Sequence, residues 1–392
     1  MKKVCLYCNW KVKPSVDGFY IEGVHATYLN AFLDNSRRCE IFLLSNVSNL
    51  PVNISDVFIE YKKVNLISLP AFSSYISAIK CIFDIYSGVK RAYDSAEFFY
   101  IRTPEPFSWL FGMHNYLGHK VMNYHVASNP LNVIWGDKQK SCISRSIRYG
   151  FFLPEYFLIM FSAYFNHITC NGFYAKKNLP FFLKKKARVL IESTKVKADF
   201  EGEVIVRDLS SNPECVKILV VTRFFPAKGL DVLLKAFSEA QVYERCKLII
   251  AGDGPEFNSI KKMAVDIGIG SRVEFMGHIK NGPDLNKLYN QCHFFINPSL
   301  SETGPRVLLE AMAYNLYCIS TDVGYARYVL SDDEGNIHGR IINSGSVNEM
   351  ASAILEAVNN FPECMEIASQ GRMLSERFTL ESFIENILSV GG

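Results

Sequence analysis

The stretch NPSLSETGPRVLLEAMA, residues 297–313, combines the end of an apolar strand, a short loop and a helix. It contains two carboxylates eight residues apart, Glu302 in the loop and Glu310 inside the helix. Pro305 suits the first turn of that helix, whose free N–H groups are expected to hold phosphate. The two carboxylates would accept hydrogen bonds from hydroxyls at two places along a ligand. The alternative is a surface Glu in the loop and a buried Glu that a neighbouring side chain satisfies.

Strands and helices alternate through the rest of the second half. The apolar strand candidates are KILVVT, CKLIIAG, RVEFMG, HFFINPS, LYCISTD and GRIIN. Helical patterns separate them, and further helices are predicted over 347–360, 364–378 and 380–388. The first half has the same rhythm, with strand candidates KVCLYC, CEIFLL, EFFYIR, KVMNYHV and HITCNG and helix candidates over 25–35 and 76–93. Such alternation predicts βαβ units and parallel sheets, hence an α/β fold.

A polar run, FEGEVIVRDLSSNPEC, with a turn cluster at 210–213, predicts a domain boundary. We expect a Rossmann-like N-terminal domain over 1–205, a Rossmann-like C-terminal domain over 215–378, and a final helix within 379–392 that crosses back to the first domain. Doubly wound domains bind ligands outside the carboxyl ends of their strands. The two domains are therefore expected to face each other across a cleft.

Charge differs between the two halves of the chain. Residues 1–200 contain 25 Lys and Arg against 14 Asp and Glu, whereas the remainder contains 17 against 25. The apolar fraction of 49% excludes a disordered chain. Such asymmetry suggests that the two domains meet different partners. Nucleic acid is not an expected partner, because no helix interleaves Lys and Arg with aromatic residues.

Two cations, Arg223 and Lys228, follow the strand candidate KILVVT. Together they suit a diphosphate, because a guanidinium grips two oxygens and an ammonium acts as a compact charge. The alternative is a solvated loop. Gly252 and Gly254 match the first two glycines of the dinucleotide-binding motif Gly-x-Gly-x-x-Gly, but the third glycine is absent. A dehydrogenase is therefore not favoured.

No metal site is predicted from the sequence. Cys5 and Cys8 form one CxxC without a second pair, and Asp332, Asp333 and Glu334 are adjacent acids rather than an Asp-x-Asp motif. The eleven cysteines lack framework spacing, and the N-terminus lacks the apolar region of a signal peptide. We therefore expect a cytoplasmic protein that needs no metal.

One segment, 156–175, contains no Asp, Glu, Lys or Arg and is long enough to cross a bilayer. Polar residues in its second half argue against a span, so we expect a helix over YFLIMFSAYF and a short strand after it. Basic residues on both sides leave two interpretations open. The helix lies in a core with solvated flanks, or the protein docks peripherally on the inner face of the plasma membrane.

The segments VTRFFPAKGLDVLLKAF, LIIAGDGPE, VEFMGHI and NPSLSETGPRVLLEAMA together resemble retaining glycosyltransferases of family 4. These are group 1 transferases with the GT-B fold of two Rossmann-like domains. The resemblance implies a nucleotide-sugar donor, a UDP-sugar on family frequency, held mainly by the second domain. Glu302 would bind the transferred sugar and Glu310 the ribose. The implied donor contacts are Arg223, Lys228, Gly229, Gly277, His278, Ile279, Gly304, Pro305, Arg306, Val307 and Glu310.

The chain departs from the family pattern beside Glu302, where the usual Gly-Phe-Gly is replaced by Thr-Gly-Pro. The first half resembles the family only faintly. There, Arg102 and His125 lie at the ends of strand candidates that are expected to face the cleft. His125 either contacts donor or acceptor, or is a satisfied structural histidine. The candidate catalytic residues are Glu302, Arg223, Lys228 and His125.

The resemblance implies that a sugar is transferred with retention to a glycan or lipid-linked acceptor in surface polysaccharide synthesis. Cations and helix N–H groups aimed at the departing diphosphate would lower the barrier without a metal. One alternative is a GT-B epimerase acting on the same donor, for which the sequence shows no clear acid–base pair. The other is a non-catalytic sugar-nucleotide-binding subunit, against which the presence of Glu302, Arg223 and Lys228 argues.

Overall fold

Parallel strands buried on both faces form the framework of the chain. The computed structural model describes residues 2–35, 39–136, 140–202, 207, 215–242 and 244–390. Within them, the strand candidate CKLIIAG becomes Cys246–Ala251, in which every residue except Lys247 is buried. Because both faces of such a strand are covered, it appears in the sequence as a continuous apolar run.

The chain divides into two units, one of Met1–Leu190 with Leu380–Gly392 and one of Ile191–Thr379. The division falls earlier than the boundary expected near 205, because the segment after Leu190 bonds to the second unit. Thr194 donates a hydrogen bond to Glu310 at 2.7 Å, and Arg372 donates to the Phe200 carbonyl at 3.1 Å. The turn cluster at 210–213 lies outside the described residues.

The first unit contains a parallel sheet of seven strands and a small antiparallel sheet, as far as its described residues show. Its strands are β1 (Lys2–Tyr7), β2 (Lys13–Pro14), β3 (Gly18–Glu22), β4 (Cys39–Asn46), β5 (Asp56–Glu60), β6 (Asn65–Leu69), β7 (Phe98–Thr103), β8 (Val121–Val126), β9 (His167–Asn171) and β10 (Arg188–Leu190). The order across the parallel sheet is β10-β9-β8-β7-β1-β4-β6, and β2, β3 and β5 pair antiparallel. The sequence does not predict these three, because β2 has two residues and only Ile59 of β5 is buried.

The helices before residue 190 are α1 (Gly23–Asn35), α2 (Tyr75–Ile79), α3 (Ile82–Ser95), α4 (Trp109–His114), α5 (Pro130–Gly136), α6 (Cys142–Tyr164), α7 (Gly172–Lys177) and α8 (Phe181–Lys184). The single helix predicted over 76–93 is divided into α2 and α3, with Cys81 in a non-helical conformation between them. Helix α6 begins well before YFLIMFSAYF, since the Ser141 side chain accepts a hydrogen bond from the Ser144 N–H and caps the helix there. Across the described ranges, no helix is long and apolar enough to cross a membrane.

The second unit contains a parallel sheet of six strands in its described part. The strands are β11 (Val216–Val221), β12 (Cys246–Ala251), β13 (Val273–Gly277), β14 (Phe294–Asn297), β15 (Tyr317–Thr321) and β16 (Arg340–Ile342), in the order β13-β12-β11-β14-β15-β16. The helices are α9 (Leu230–Glu239), α10 (Phe257–Asp266), α11 (Pro283–Gln291), α12 (Arg306–Ala313), α13 (Ala326–Leu330), α14 (Val347–Asn359) and α15 (Phe361–Ser375). All six strand candidates are confirmed, and the short α13 is the element that the pattern misses. The predicted α/β class is confirmed in both units.

The last helix, α16 (Leu380–Leu388), groups with the first unit. Its buried residues recur at spacings of three and four, which gives the helix one apolar face: Leu380, Phe383, Ile384 and Ile387. The Phe383 ring stands edge-on to Tyr28 of α1 at 6.3 Å and to His125 of β8 at 5.4 Å. Aromatic packing therefore attaches the end of the chain to the first unit.

Each parallel sheet reverses its strand order at one place. In the first unit the chain runs from β1 to β4 and β6, then returns to β7 on the other side of β1. In the second unit it runs from β11 to β12 and β13, then returns to β14 on the other side of β11. Doubly wound sheets bind ligands outside the carboxyl ends of their strands at such a reversal. Functional side chains are therefore expected after β1 and β7, and after β11 and β14.

Arg207 joins two helix ends of the second unit. Its buried guanidinium donates to the carbonyls of Tyr289 and Cys292 at the end of α11, at 3.2 and 2.5 Å. It also donates to the Asn315 carbonyl after α12, at 3.0 Å. The last carbonyls of a helix have no partner inside the helix and form the negative end of its dipole. One cation thus satisfies three acceptors and holds residue 207 on the second unit.

We expect Arg207→Ala to lower the free energy of unfolding of the second unit by about 3 kcal/mol, because the Cys292 and Asn315 carbonyls lose this donor and the Tyr289 carbonyl keeps only the Cys292 N–H. Urea unfolding followed by circular dichroism measures this loss. Arg245→Ala removes an exposed guanidinium from the same unit and should change stability by less than about 0.5 kcal/mol. Equal effects of the two substitutions would contradict the anchoring role of Arg207.

Candidate functional site

Lys228 and Glu302 meet at the strand reversal of the second unit. Lys228 follows β11, Glu302 follows β14, and the Lys228 ammonium donates a hydrogen bond to Glu302 Oε1 at 2.8 Å. Their side chains are 17% and 19% exposed. The second oxygen, Oε2, is buried and has no hydrogen-bond partner among the described residues. Because a buried acceptor without a donor is destabilising, this oxygen is suited to accept a hydrogen bond from a ligand.

Backbone contacts hold the loops of Lys228 and Glu302 together. Gly229 has a left-handed backbone with φ +63°, and a Cβ there would lie 2.2 Å from the Pro298 carbonyl oxygen. Only glycine fits so close an approach in that conformation. The Leu300 N–H also donates to the Ala227 carbonyl at 2.8 Å. The positions of the cation and the carboxylate therefore follow from the backbone of both loops.

Arg223 lies at the carboxyl end of β11 with its side chain exposed. Its guanidinium is 5.6 Å from the centroid of the Phe225 ring. The neighbouring Phe224 is fully buried, and its N–H donates to the Asp253 carbonyl at 2.9 Å. A fixed backbone thus presents an exposed guanidinium, and the same loop presents the Lys228 ammonium. Two cations on one loop are suited to bind an anion.

The start of α12 packs tightly against the loop after β15. A Cβ on Gly304 would lie 2.1 Å from the Tyr325 ring. Two of the first N–H groups already donate within the turn, that of Arg306 to Gly304 at 3.0 Å and that of Leu308 to Pro305 at 2.9 Å. The expectation that the helix start offers free N–H groups to phosphate therefore does not hold for these two.

Glu310 is buried, and both its carboxylate oxygens accept hydrogen bonds from protein hydroxyls. Thr194 donates to Oε1 at 2.7 Å, and Tyr289 donates to Oε2 at 3.0 Å. Burial and the charge of Glu310 raise the pKa of Tyr289 well above its usual value, so the phenol stays a donor. This geometry fits the alternative of a buried Glu satisfied by its neighbours. Each carboxylate oxygen has two lone pairs, so a contact with ribose hydroxyls stays a prediction.

The sequence does not predict that the segment after β10, which contains Thr194 and Lys195, packs against Glu310 and Tyr314. The buried Lys195 ammonium donates to Tyr314 Oη at 3.2 Å and lies 4.3 Å from the centroid of that ring. Burial lowers the pKa of Lys195, while the charges of Asp199 and Glu310 raise it. The available signal is the polar run EST before Lys195, which follows β10 directly. A polar run in a domain linker is usually solvated, so the pattern gives no hint of its burial.

The loop after β13 contains three residues that are expected to lie near the nucleotide base of the donor: Gly277, His278 and Ile279. Gly277 has φ +67°, and its carbonyl accepts a hydrogen bond from the Gly252 N–H at 2.7 Å. The loops after β12 and β13 are therefore joined. His278 is exposed and Ile279 is partly exposed. Two further candidates have exposed or partly exposed surface at the start of α12: Arg306 and Val307.

His125 lies in the core of the first unit with no exposed surface. Its Nδ1 is 2.9 Å from Thr169 Oγ1, and its ring packs against Tyr100 at 5.6 Å and Phe383 at 5.4 Å. This burial favours the structural alternative for His125, and a catalytic role for it stays a prediction.

Asn9 and Glu105 meet at the strand reversal of the first unit. Asn9 follows β1, Glu105 follows β7, and Asn9 Nδ2 donates to Glu105 Oε2 at 2.6 Å. Burial raises the pKa of Glu105 to about 7, although the hydrogen bonds from Asn9 lower it. Asn9 Oδ1 is buried and has no hydrogen-bond partner in the described part of the chain. The sequence singles out Arg102 in the same segment, but the stronger signal is a carboxylate two residues beyond the strand end.

A metal centre has no counterpart in the described ranges, where no three His, Cys, Asp or Glu side chains are arranged to hold an ion. Cys5 and Cys8 are both buried, and burial raises the pKa of the Cys5 thiol. Asp332 instead bonds within its own loop, to Asn336 Nδ2 and His338 Nε2, each at 3.0 Å.

The second unit matches a known family. Residues 203–373 match the family model described as glycosyl transferases group 1, which confirms the resemblance to group 1 transferases. Among curated proteins, the gpi3 subunit of phosphatidylinositol N-acetylglucosaminyltransferase from Schizosaccharomyces pombe is 27% identical over 168 residues. That match covers 42% of this chain and 36% of the yeast subunit, so this chain spans little more than a third of its relative.

Solved structures share the fold over nearly the whole chain. Anabaena HepE in complex with UDP superposes with a TM-score of 0.68 at 14% identity, covering 99% of this chain and 98% of HepE. WaaG, a glycosyltransferase involved in lipopolysaccharide biosynthesis, superposes with a TM-score of 0.64 at 16% identity, covering 99% of this chain and 100% of WaaG. These likenesses confirm the predicted GT-B fold.

We expect Glu105→Gln to remove a pH dependence of stability between about pH 4.5 and about pH 7. Because the Glu105 pKa is about 7 in the folded chain against an ordinary value of 4.5, the unfolded chain loses this proton first as pH rises. The free energy of unfolding therefore falls through this range. The variant should match the parent at about pH 4.5 and exceed it by up to about 3 kcal/mol above about pH 7.

Urea unfolding followed by tryptophan fluorescence reports on this unit, because all three tryptophans lie within it: Trp10, Trp109 and Trp135. Burial lowers the pKa of His114, His167 and His293, and these shifts make the free energy of unfolding rise with pH. The contribution of Glu105 is therefore obtained from the difference in stability between variant and parent at each pH. The exposed Glu97→Gln is the matched control. A difference that stays constant with pH would contradict the shifted pKa.

Proposed function

We propose, from the match of residues 203–373 to group 1 glycosyltransferases, that the protein transfers a sugar from a nucleotide-diphosphate donor to an acceptor with retention of configuration. The observation that supports this most is the Lys228–Glu302 pair at the strand reversal of the second unit. There, a cation lies beside a carboxylate that still has one buried, unpaired oxygen. A sugar diphosphate offers the complementary groups, an anion next to hydroxyl donors.

In this proposal Arg223 and Lys228 bind the diphosphate. The Lys228 ammonium has three N–H donors and uses one on Glu302, so two are left for phosphate oxygens. The bond between the anomeric carbon and the diphosphate breaks, and the acceptor oxygen bonds to that carbon on the same face. The acceptor proton passes to the departing phosphate oxygen. Cations fixed beforehand at the leaving group lower the barrier to this step.

Glu302 binds the transferred sugar through its unpaired Oε2, and Glu310 binds the ribose. Exposed His278 and its neighbours Gly277 and Ile279 lie at the carboxyl edge of the same sheet and contact the base. We propose a UDP-sugar as donor, which the fold shared with HepE in complex with UDP supports. The two cations take the role that a divalent metal has in other transferases, so the reaction is proposed to need none.

The acceptor is proposed to be a glycan or lipid-linked glycan in surface polysaccharide synthesis, at the inner face of the plasma membrane. A relative named for transfer to phosphatidylinositol and the WaaG fold likeness support this class. Within the first unit, Asn9 and Glu105 at the strand reversal would bind an acceptor hydroxyl. A carboxyl with a pKa of about 7 both accepts and donates hydrogen bonds near neutral pH.

We expect one nucleotide class, the UDP-sugars, to raise the melting temperature in a panel with GDP-, dTDP- and CMP-sugars, and the shift to persist in EDTA. Calorimetry should show Arg223→Ala and Lys228→Ala each weakening UDP binding by about tenfold to a hundredfold, since each loses a charge-assisted contact. Lys247→Ala is the matched control, because Lys247 lies near the amino end of β12 and pairs with Glu274. Absence of binding to every nucleotide sugar would refute the proposal.

We expect Glu302→Gln to separate the sugar side of the site from the diphosphate side. The variant should bind UDP as the parent does but weaken binding of the UDP-sugar by about tenfold, because a carboxylate contact is replaced by a weaker one. It should also abolish most hydrolysis or transfer of the donor. Equal weakening of UDP and UDP-sugar would contradict the sugar contact. Donor binding without turnover in the parent would favour a non-catalytic binding subunit.

A further inference from the structure

Helix α6 exposes a continuous apolar stripe in the first unit. The stripe consists of Ile143, Ile147, Phe151, Leu158, Phe161 and Phe165, all exposed. At 3.6 residues per turn these six positions fall within an arc of about 80° along a helix about 34 Å long. Ile143 is 74% exposed and Phe165 is 65% exposed. Large contiguous apolar surfaces of this kind mark interaction sites.

The buried face of α6 fixes the direction of the stripe. Glu155 is buried, and its carboxylate accepts hydrogen bonds from the Phe107 N–H at 2.6 Å and Trp109 Nε1 at 2.7 Å. Tyr75 donates to the same carboxylate at 3.2 Å. The buried Tyr156, Ile159 and Ala163 lie on the side of the helix opposite the stripe, so the stripe faces solvent. One face of this segment thus lies in the core, as one interpretation predicts, and the other face stays exposed.

The sequence that contains the stripe is rich in cations and poor in acids. Residues 140–190 contain nine Lys and Arg and a single acid, the buried Glu155: the cations are Lys140, Arg145, Arg148, Lys176, Lys177, Lys184, Lys185, Lys186 and Arg188. At one end of the stripe, the Lys186 ammonium lies 5.7 Å from the Tyr164 ring centroid. On the other side of α6, near its start, the Arg145 guanidinium lies 5.5 Å from the exposed Trp135 ring.

Helix α8 extends the apolar surface beside the lysine cluster. Phe181 is 85% exposed, and its ring lies 5.6 Å from that of Phe182. Phe182 in turn contacts Tyr164 at the end of α6 at 5.7 Å. Aromatic side chains and a run of three lysines, Lys184, Lys185 and Lys186, therefore lie together at one place.

We propose that the α6 stripe with Phe181 docks on a membrane containing anionic lipid, with α6 lying in the plane of the interface. Aromatic and aliphatic side chains would enter the boundary between headgroups and acyl chains, while the surrounding Lys and Arg contact the anionic headgroups. None of these residues belongs to the donor site, so the docking is independent of donor binding. It gives the proposed transfer to a lipid-linked acceptor a location.

Charge decides between a membrane and a second copy of this chain as the occupant. Two copies joined through the stripe would bring the same basic surroundings face to face without acidic partners, and like charges across an interface are unfavourable. A nucleic acid would pair with the cations but leave the isoleucines and phenylalanines without an apolar partner. An anionic bilayer satisfies both the charge and the apolar surface.

Vesicle flotation of the full chain tests the proposal. The protein should float with phosphatidylcholine vesicles that contain about 30 mol% phosphatidylglycerol, and much less with phosphatidylcholine alone. Raising NaCl from about 0.1 M to about 1 M should weaken binding, because the Debye length falls from about 10 Å to about 3 Å. The triple variant K184Q/K185Q/K186Q should lower the partition coefficient about a hundredfold, since each lysine contributes about fivefold.

A second variant, F161S/F165S/F181S, should lower the partition coefficient at least tenfold. The matched controls are K235Q/K261Q/K262Q and V265S/L355S/M373S, which change exposed residues of the second unit and should bind as the parent does. Melting temperature and UDP binding are measured on every sample, so loss of folding or of donor binding is distinguished from loss of docking.

Failure of the parent to float while it still binds UDP would overturn the docking and leave the transferase proposal standing. Equal binding of the stripe variants and the controls would also overturn it. Light scattering is the last check. A dimer that F161S/F165S/F181S dissociates, with no vesicle binding by the parent, would assign the stripe to self-association instead.

Discussion

The close approach of the Gly229 backbone to the Pro298 carbonyl is the constraint on which the site of the second unit depends. It lets the loop after β11 lie directly against the loop after β14, and a single added Cβ would meet that oxygen at 2.2 Å. The same contact brings Lys228 within 2.8 Å of Glu302, since each lies a few residues from the backbone that touches. A cation and a carboxylate are thus held side by side by glycine geometry and main-chain hydrogen bonds.

The two units repeat one arrangement with different electrostatics. In each, a donor after the first strand of the sheet meets a carboxylate after the strand where the order reverses. The donor is an ammonium in the second unit, Lys228 beside Glu302, and a neutral amide in the first, Asn9 beside Glu105. Burial dominates at Glu105 and raises its pKa to about 7, although the Asn9 hydrogen bonds and the Arg102 charge lower it. The same topology therefore gives a cation beside a carboxylate in one unit and a carboxyl of intermediate acidity in the other.

The sequence predicts most strands of the parallel sheets and the residues that follow them. It does not predict features that depend on contacts between residues far apart in the chain. The six strands of the second unit and the Arg223, Lys228 and Glu302 positions follow from apolar runs and the residues after them. The small antiparallel sheet is missed because its strands are short and partly exposed, which leaves no apolar run. Thr194 reaches Glu310 across 116 positions of sequence, and no pattern encodes that hydrogen bond. The burial of His125 also depends on a distant contact, because the Phe383 ring that packs against it belongs to α16.

The proposed docking of the α6 stripe on an anionic membrane explains why the first half of the chain is basic. Fully burying one Ile, Leu or Phe side chain contributes about 2 kcal/mol, so these six partly exposed side chains leave about 7 kcal/mol of hydrophobic free energy unused in folding. A chain in water gains nothing from that exposure, and the hydrogen bonds of Glu155 prevent α6 from turning the stripe inward. An anionic bilayer supplies the missing apolar contact, and the nine cations of 140–190 supply long-range attraction that hydrophobic contact lacks. Stable attachment to the membrane surface requires both hydrophobic insertion and electrostatic attraction. The apolar stripe provides the first contribution, and the basic excess of the first half provides the second.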